Sequence, residues 1–409
     1  MNTEKLAQIL SDTAFIRTGG SEEELRCARY LSDQFAEFGC KAEIQPFEVD
    51  LSELKPAKLV IDGKEYPCKG YTNVGCADLE APLYYLRGTD KQSYAGCKGK
   101  VVLFDGYLGT WRYHDLVEAG AVGFISHNGH VNYADRDIDQ REVRAMAIDK
   151  AEGKKIPGVN INIKDAVEIV RSGAKTARIV LEQREYKGES RNVVVDLPGE
   201  VDEWISVTGH YDSTPLSVGT YDNMSGALSA LAIGEYFTTH AHRYGIRVIL
   251  FGSEERGLLG SKAYVKDHPE DIAKMVLNIN IDMVGCIMGK FIAGVTAEER
   301  LCHYIEYMGA ELGFPVKATQ MVYSSDSTPF ADAGVPAFTF ARDADECGAA
   351  TIHDRYDTMA VMSPEQMAAD IDFMAAFADR MANAKYMPVA REIPEKMKED
   401  LDKYLARKR

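Results

Sequence analysis

The sequence predicts an α/β protein, a mainly parallel mixed sheet flanked by helices and interrupted by a smaller β-rich insert. Three observations carry that expectation. From Asn192 to about Ala384, apolar runs of strand length alternate with helical patterns, the signature of a parallel sheet covered on both faces. Between about Leu54 and Tyr186 the texture changes to short strand-like runs broken by frequent turns. A chain of 409 residues is too long for one ordinary core, so two domains are expected.

The elements follow in order. Ser21 and Glu24 form a capping-box pattern ahead of a helical stripe, Leu25, Ala28, Leu31, Phe35 and Phe38, which Gly39 ends. Ala42 to Val49 reads as an edge strand. In the middle segment Leu59–Ile61, Leu83–Leu86 and Lys100–Phe104 read as strands, and a helix near His114–Ala119 leads into a strand at Ala121–Ile125. A strand near Val159, a helix at Asp165–Arg171 and a strand at Ala177–Glu182 close it. After the polar hinge Arg184–Glu189 come the strands Asn192–Leu197, Trp204–Thr208, Arg247–Phe251 and Met275–Ile281. Ser363-Pro364-Glu365-Gln366 opens the last large helix, with Met367, Ile371, Met374 and Ala378 on its buried face. The predicted organisation is residues 1–54 with 188–390 as one discontinuous domain, 55–187 as the insert, and 391–409 as a charged, solvated tail.

Composition narrows the function classes. Hydrophobic residues make up 45% and charged residues 27%, as in a globular protein rather than a disordered one. The net charge of −16 argues against nucleic acid or an anionic membrane as partner. No apolar run has the length of a signal peptide core or a membrane span. The eight cysteines are scattered without a C-x-x-C pair, so free thiols and a cytoplasmic location are expected.

The chemistry lies in five metal-ligand-type side chains: His210, Asp222, Glu255, Asp282 and His353. Most of them end or follow buried strands, and in an open α/β sheet the carboxyl ends of parallel strands converge on one crevice. Two imidazoles and three carboxylates suit zinc or another borderline divalent ion, and suffice for two ions sharing a carboxylate. Each residue is ambiguous by itself. Asp222 at a helix start would serve equally as an N-cap, and His353 alone would read as a surface histidine. The pair Glu254-Glu255 is more telling, because adjacent acids at a strand end are costly without a cation. One as ligand and the other as general base makes chemical sense. Asp212, two residues after His210, is placed to hold its second ring nitrogen. The set points to metal-assisted hydrolysis.

The segments GHYDS, TYDNMSG, GSEERGLLGS, NIDMVG, SSDSTPFADAGVPAF and IHDRYDT resemble the di-zinc aminopeptidase family. That family includes aminopeptidase Y, bacterial leucyl aminopeptidases and glutamate carboxypeptidase II. GCKGKVVLFDG, AGAVGFIS and IPGVNI are similar to the protease-associated domain inserted in several members. The resemblance implies a zinc-exopeptidase fold holding two zinc ions per chain. His210 and Asp282 would hold one zinc, Glu255 and His353 the other, and Asp222 would bridge them. Glu254 would be the general base and Asp212 would orient His210. The substrate implied is a peptide with a free N-terminus. Several members carry Tyr immediately before the last ligand histidine, to steady the oxyanion. This chain has Ile352 there, and Tyr323 is the replacement the sequence suggests. The same core would also serve a carboxypeptidase or dipeptidase. Glutaminyl cyclase chemistry fits less well with both His210 and Asp222 present, and a non-enzymatic receptor would be expected to have lost ligands or the base.

Overall fold

The computed structural model describes residues 1–132, 138–344 and 348–409. Cys347, one of the eight cysteines expected to be free, lies outside them; the seven described cysteines are free thiols. The chain divides into two compact units, Met1–Val49 with Gly188–Lys408, and Asp50–Lys187 with the terminal Arg409. The break expected at residue 54 therefore falls at residue 49, inside a strand that continues through it.

The larger unit opens with helices α1 (Thr3–Asp12) and α2 (Glu22–Glu37). Its sheet is built from β1 (Ala42–Leu54), β2 (Gln183–Leu197), β3 (Val201–His210), β4 (Tyr244–Phe251), β5 (Met275–Ile281), β6 (Lys290–Thr296), β7 (Lys317–Gln320) and β8 (Ala337–Asp343). Their spatial order is β1-β2-β4-β3-β5-β8-β6-β7. The central four, β4, β3, β5 and β8, are parallel. β2 and β6 run antiparallel to their neighbours β4 and β8.

Every residue of β4 and β5 is buried, which explains their unbroken apolar runs. Alternate side chains serve opposite faces. Ile246, Val248 and Leu250 join one core with α1, α2, α3 (Ser225–Thr239) and the last long helix; Ile249 and Phe251 join another. Between the strands lie α4 (Leu259–Asp267), α5 (Pro269–Lys274), α6 (Glu299–Leu312) and α7 (Ser327–Asp332), followed by α8 (Pro364–Ala382) and α9 (Glu395–Tyr404). α3 is apolar on nearly all sides because it is central, with Ser225–Gly234 all buried. Ser21 Oγ caps α2 by accepting the Glu24 N–H at 3.0 Å, as the capping pattern predicts. Ser363 caps α8 in the same way through Gln366.

The tail differs from its expectation. Residues 395–404 do form a helix, but it is not simply solvated. Met397, Leu401 and the preceding Ile393 are buried with Phe330 and Tyr264. Their spacing of four residues puts one apolar face on an otherwise charged helix.

The smaller unit has its own sheet and core. The strands Ala77–Leu86, Val101–Phe104, Gly123–Asn128 and Gly158–Asn162 lie side by side and parallel. Thr176–Leu181, Lys58–Ile61 and Lys64–Tyr66 extend one edge antiparallel. The core gathers Val101, Leu103, Phe124, Ile125, Val159 and Ile179.

Candidate metal centre

Strand register brings the predicted residues together. β3 and β4 pair with His210 opposite Phe251, and β3 and β5 pair with Thr208 opposite Asn280. The carboxyl ends of three adjacent parallel strands are therefore level. His210 ends β3, Glu254 and Glu255 follow β4 by three and four residues, and Asp282 immediately follows β5.

Asp222 arrives from the turn before α3. It does not cap that helix, whose cap position is Met224; the nearby capping contact is Asn223 Oδ1, which accepts the Gly226 N–H at 2.9 Å. The same oxygen accepts the Met283 N–H at 2.9 Å, while Asn223 Nδ2 donates to Ile281 O at 3.0 Å. Asn223 thus stitches the Asp222 turn to the strand end that carries Asp282. His353 comes from the loop after β8 with a left-handed backbone, φ 59°. Ser253 and Met283, each beside a site acid, are also left-handed, at 54° and 62°. Such conformations are disfavoured for non-glycine residues and concentrate where surrounding structure enforces them.

Two groups of donor atoms result, each within 4.8 Å: His210, Asp222 and Asp282, and Asp222, Glu255 and His353. Asp222 belongs to both. Its Oδ1 lies 3.4 Å from His210 Nε2, and its Oδ2 lies 3.1 Å from His353 Nε2. Asp282 Oδ1 is 3.7 Å from His210 Nε2, and Glu255 Oε2 is 3.0 Å from His353 Nε2. Glu254 Oε2 stands 3.9 Å from His210 Nε2, outside both triads but beside them. Four of the five residues are shielded, while the His353 side chain is 43% exposed, so the centre opens to solvent on that side.

Asp212 is fully buried behind His210, with Oδ1 3.3 Å from Nδ1. Its two oxygens also accept the backbone N–H groups of Glu254 and Glu255, at 3.0 and 3.3 Å.

The electrostatics fit a cation-binding centre. Burial, with neighbouring acids adding to it, pushes Glu254 well above the usual carboxylate range and raises Glu255 and Asp282. Burial alone would lower the two histidines, yet the facing carboxylates hold both well above the ordinary value. Without a metal, protonated imidazoles facing these acids help to balance their charge. Divalent cations on the same nitrogens and oxygens would supply that charge with donors suited to zinc.

Three residues escaped the sequence reading. Asp357 Oδ1 accepts the Tyr221 N–H at 2.7 Å, and its Oδ2 accepts the Asp222 N–H at 3.0 Å. Asp326, buried and pushed up to about 7 by that burial, accepts from Ser261 Oγ at 2.5 Å and adds its charge to the surroundings of Glu254. Arg17 is fully buried and donates to backbone carbonyls around the centre. Tyr323, the tyrosine the sequence suggested as oxyanion donor, is electrostatically coupled to Asp282 and Asp222. Burial, followed by Asp282 and Asp222, raises its phenol far above the ordinary value, which keeps it a proton donor.

Residues 192–378 match the profile of Peptidase family M28. The matched residues lie within the larger unit. Among relatives, aminopeptidase YwaD of Bacillus subtilis is 26% identical over 349 residues, covering 81% of this chain and 73% of its own. Probable leucine aminopeptidase 2 of Aspergillus fumigatus is 24% identical, covering 55% of this chain and 46% of its own, so the match spans about half of that fungal protein. In fold, the chain is similar to BSAP, described as a zinc aminopeptidase from Bacillus subtilis. The TM-score is 0.78 at 22% identity, over 97% of this chain and 98% of that one. Among the described residues, no helix is long and apolar enough to cross a membrane.

Proposed function

We propose that the chain is a zinc-dependent exopeptidase, an aminopeptidase that removes N-terminal residues from peptides. The observation that carries the reading is the sharing of Asp222 between two donor triads, with a further buried acid, Glu254, beside them. The names of the bacterial and fungal relatives support the choice of an aminopeptidase.

His210 and Asp282 would hold one zinc, Glu255 and His353 the second, with Asp222 between them. When bound, the pair supplies Lewis acidity to the attacking water and to the scissile carbonyl. Glu254 takes a proton from that water as its oxygen adds to the carbonyl carbon. The same carboxyl then returns the proton to the leaving amine nitrogen as the C–N bond breaks. Burial raises the proton affinity of this carboxyl, which suits it to take up the proton. Asp212 fixes the His210 ring, and Tyr323 donates to the developing oxyanion in place of the tyrosine that Ile352 replaces. The unit Asp50–Lys187 would govern substrate access rather than chemistry, as a protease-associated-like insert. A cytoplasmic site of action belongs to the same proposal, on the free thiols.

The test is metal analysis of purified protein with aminoacyl-anilides, N-blocked peptides and C-terminal substrates assayed side by side. About two zinc ions per chain and turnover of free-amine substrates alone are expected. Turnover of blocked peptides but not of free-amine ones overturns the aminopeptidase assignment.

A further inference from the structure

The turn that presents Asp222 is gripped from two sides by buried groups of opposite charge. On one side stands Asp357. Its Oδ1 takes the Tyr221 N–H at 2.7 Å; its Oδ2 takes the Asp222 N–H at 3.0 Å and the Ser217 hydroxyl at 3.2 Å. Ser217 Oγ in turn accepts the Gly219 N–H at 2.8 Å. On the other side stands Arg17, whose guanidinium donates to Gly219 O at 2.7 Å and to Val218 O. One buried acid therefore collects the amide groups of the turn, and one buried cation collects its carbonyls.

Each grip also reaches a second ligand-bearing segment. Arg17 donates to the carbonyl of Tyr211, the residue after His210, and its backbone N–H donates to Ser213 Oγ at 3.1 Å. Its remaining side-chain hydrogen bonds, to Thr13 O at 3.1 Å and Phe15 O at 3.2 Å, anchor it to its own segment. Asp357 lies four residues beyond His353, in the same loop. Burying a guanidinium or a carboxylate is costly unless its hydrogen bonds are satisfied. Here both are satisfied, and several of their partners are backbone groups of Asp222 itself or of residues within a few positions of His210 and Asp222. There is no slack for substitution at the turn: Gly219 has φ 56°, and a Cβ there would stand 2.5 Å from Asp222 O and 3.0 Å from the Arg17 guanidinium.

We propose that Arg17 and Asp357 are positioning residues that hold Asp222 in register between the two triads, so that the two metal sites form together. Arg17 ties the Asp222 turn to the His210 strand end, and Asp357 ties it to the His353 loop. The inference rests on the two-metal reading given above. Because the bridging carboxylate is shared, a small rotation of its turn disturbs both sites rather than one.

The test uses the full-length chain carrying Arg17→Lys, Asp357→Asn, Ser217→Ala or Asp370→Asn, with Asp222→Asn as reference. Zinc affinities are measured by chelator competition, site filling by cobalt(II) absorption, and the melting temperature on metal-free protein. Asp370 is the control, a buried acid whose hydrogen bonds go to Arg342, Gln366 and the Gly285 N–H rather than to any of the five donor residues or to the Asp222 turn. Arg17→Lys and Asp357→Asn are expected to weaken both metal sites together by roughly 10–100-fold, the usual effect of losing an outer partner of a metal ligand. Excess metal should restore much of kcat. Ser217→Ala, the mildest change, should move both affinities in the same direction. Asp370→Asn should lower the melting temperature with affinities unchanged. Wild-type zinc affinity in Arg17→Lys and Asp357→Asn, whatever their melting temperatures, overturns the proposal, as does weakening of one site alone. Retention of both metals by Asp222→Asn instead overturns the shared role given to Asp222, and fewer than two zinc ions on the wild-type chain overturns the two-metal reading itself.

Discussion

Asp212 Oδ1 accepts the backbone N–H of Glu254 at 3.0 Å while standing 3.3 Å from His210 Nδ1. One buried carboxylate thus orients a histidine and the turn that carries the two neighbouring glutamates. Replacing Asp212 with Asn keeps its size but turns one acceptor into a donor, which then faces an N–H. We expect a loss of roughly 10–100-fold in kcat/KM with weakened zinc binding. Steady-state kinetics and zinc content, measured on the same preparation, check this. Unchanged zinc content and unchanged kcat/KM would remove Asp212 from the machinery.

Adjacent glutamates with different duties make a sharper contrast. Glu254→Gln cannot accept a proton, so kcat should fall by roughly 10²–10⁴-fold with metal content near wild type. Glu255→Gln swaps a ligand for a neutral one, so it should lose zinc and recover partly in excess metal. Metal loss from Glu254→Gln, rescued by added zinc, would reverse the two assignments.

Glu24 predicts a pH effect on stability. Burial pushes its carboxyl from 4.5 up to about 8, against the opposing hydrogen bond from Ser190. The folded value is raised, so the contribution is fully present below about pH 4.5 and lost as pH rises through about 8. Glu24→Gln mimics the neutral form at every pH. Urea denaturation of metal-depleted protein should find the variant similar to wild type below about pH 4.5 and increasingly more stable than it as pH rises from there to about 8. Parallel pH profiles for the two proteins would contradict this.

The final helix predicts a dependence of the site on the far end of the chain. Tyr404 Oη lies 2.7 Å from Ser324 Oγ, and Arg407 pairs with Asp332 at 2.6 and 2.7 Å. These contacts brace the segment that carries Tyr323 and Asp326. Ile393, Met397 and Leu401 are buried there, each contributing about 1.5–3 kcal/mol. Met397→Asp should therefore lower the melting temperature by several degrees and reduce kcat. Calorimetry and kinetics check both; a variant with wild-type melting would mean the helix contributes little.

How much of this was legible in the sequence depends on the range of the signal. The strands β4 and β5 were readable because burial on both faces leaves an uninterrupted apolar run. The five donor residues were readable because they end or follow such runs or fall within segments of family type. The Asp222 N-cap alternative was equally readable and gives way only when the structure puts the cap at Met224. Arg17 and Asp357 left no local trace, because the partners that tie them to the Asp222 turn lie more than a hundred residues away. The apolar spacing of Ile393, Met397 and Leu401 was present in the sequence, but the surrounding charges made the segment read as a solvated tail.

The larger unit is assembled from both ends of the chain, with α1 packed against α8 and Arg17 seated under the His210 and Asp222 segments. This imposes an order on synthesis at the ribosome. Residues 50–187 carry their own core and emerge complete while the first 49 still lack most of their partners. The nascent chain passes His210, Asp222, Glu255 and Asp282 well before His353 is made, and the bracing helix comes later still. Since domains fold as units once their residues are available, assembly of the two donor triads is postponed to the last stage of translation. A ribosome-stalled chain ending before residue 353 should carry a folded insert and no hydrolytic activity.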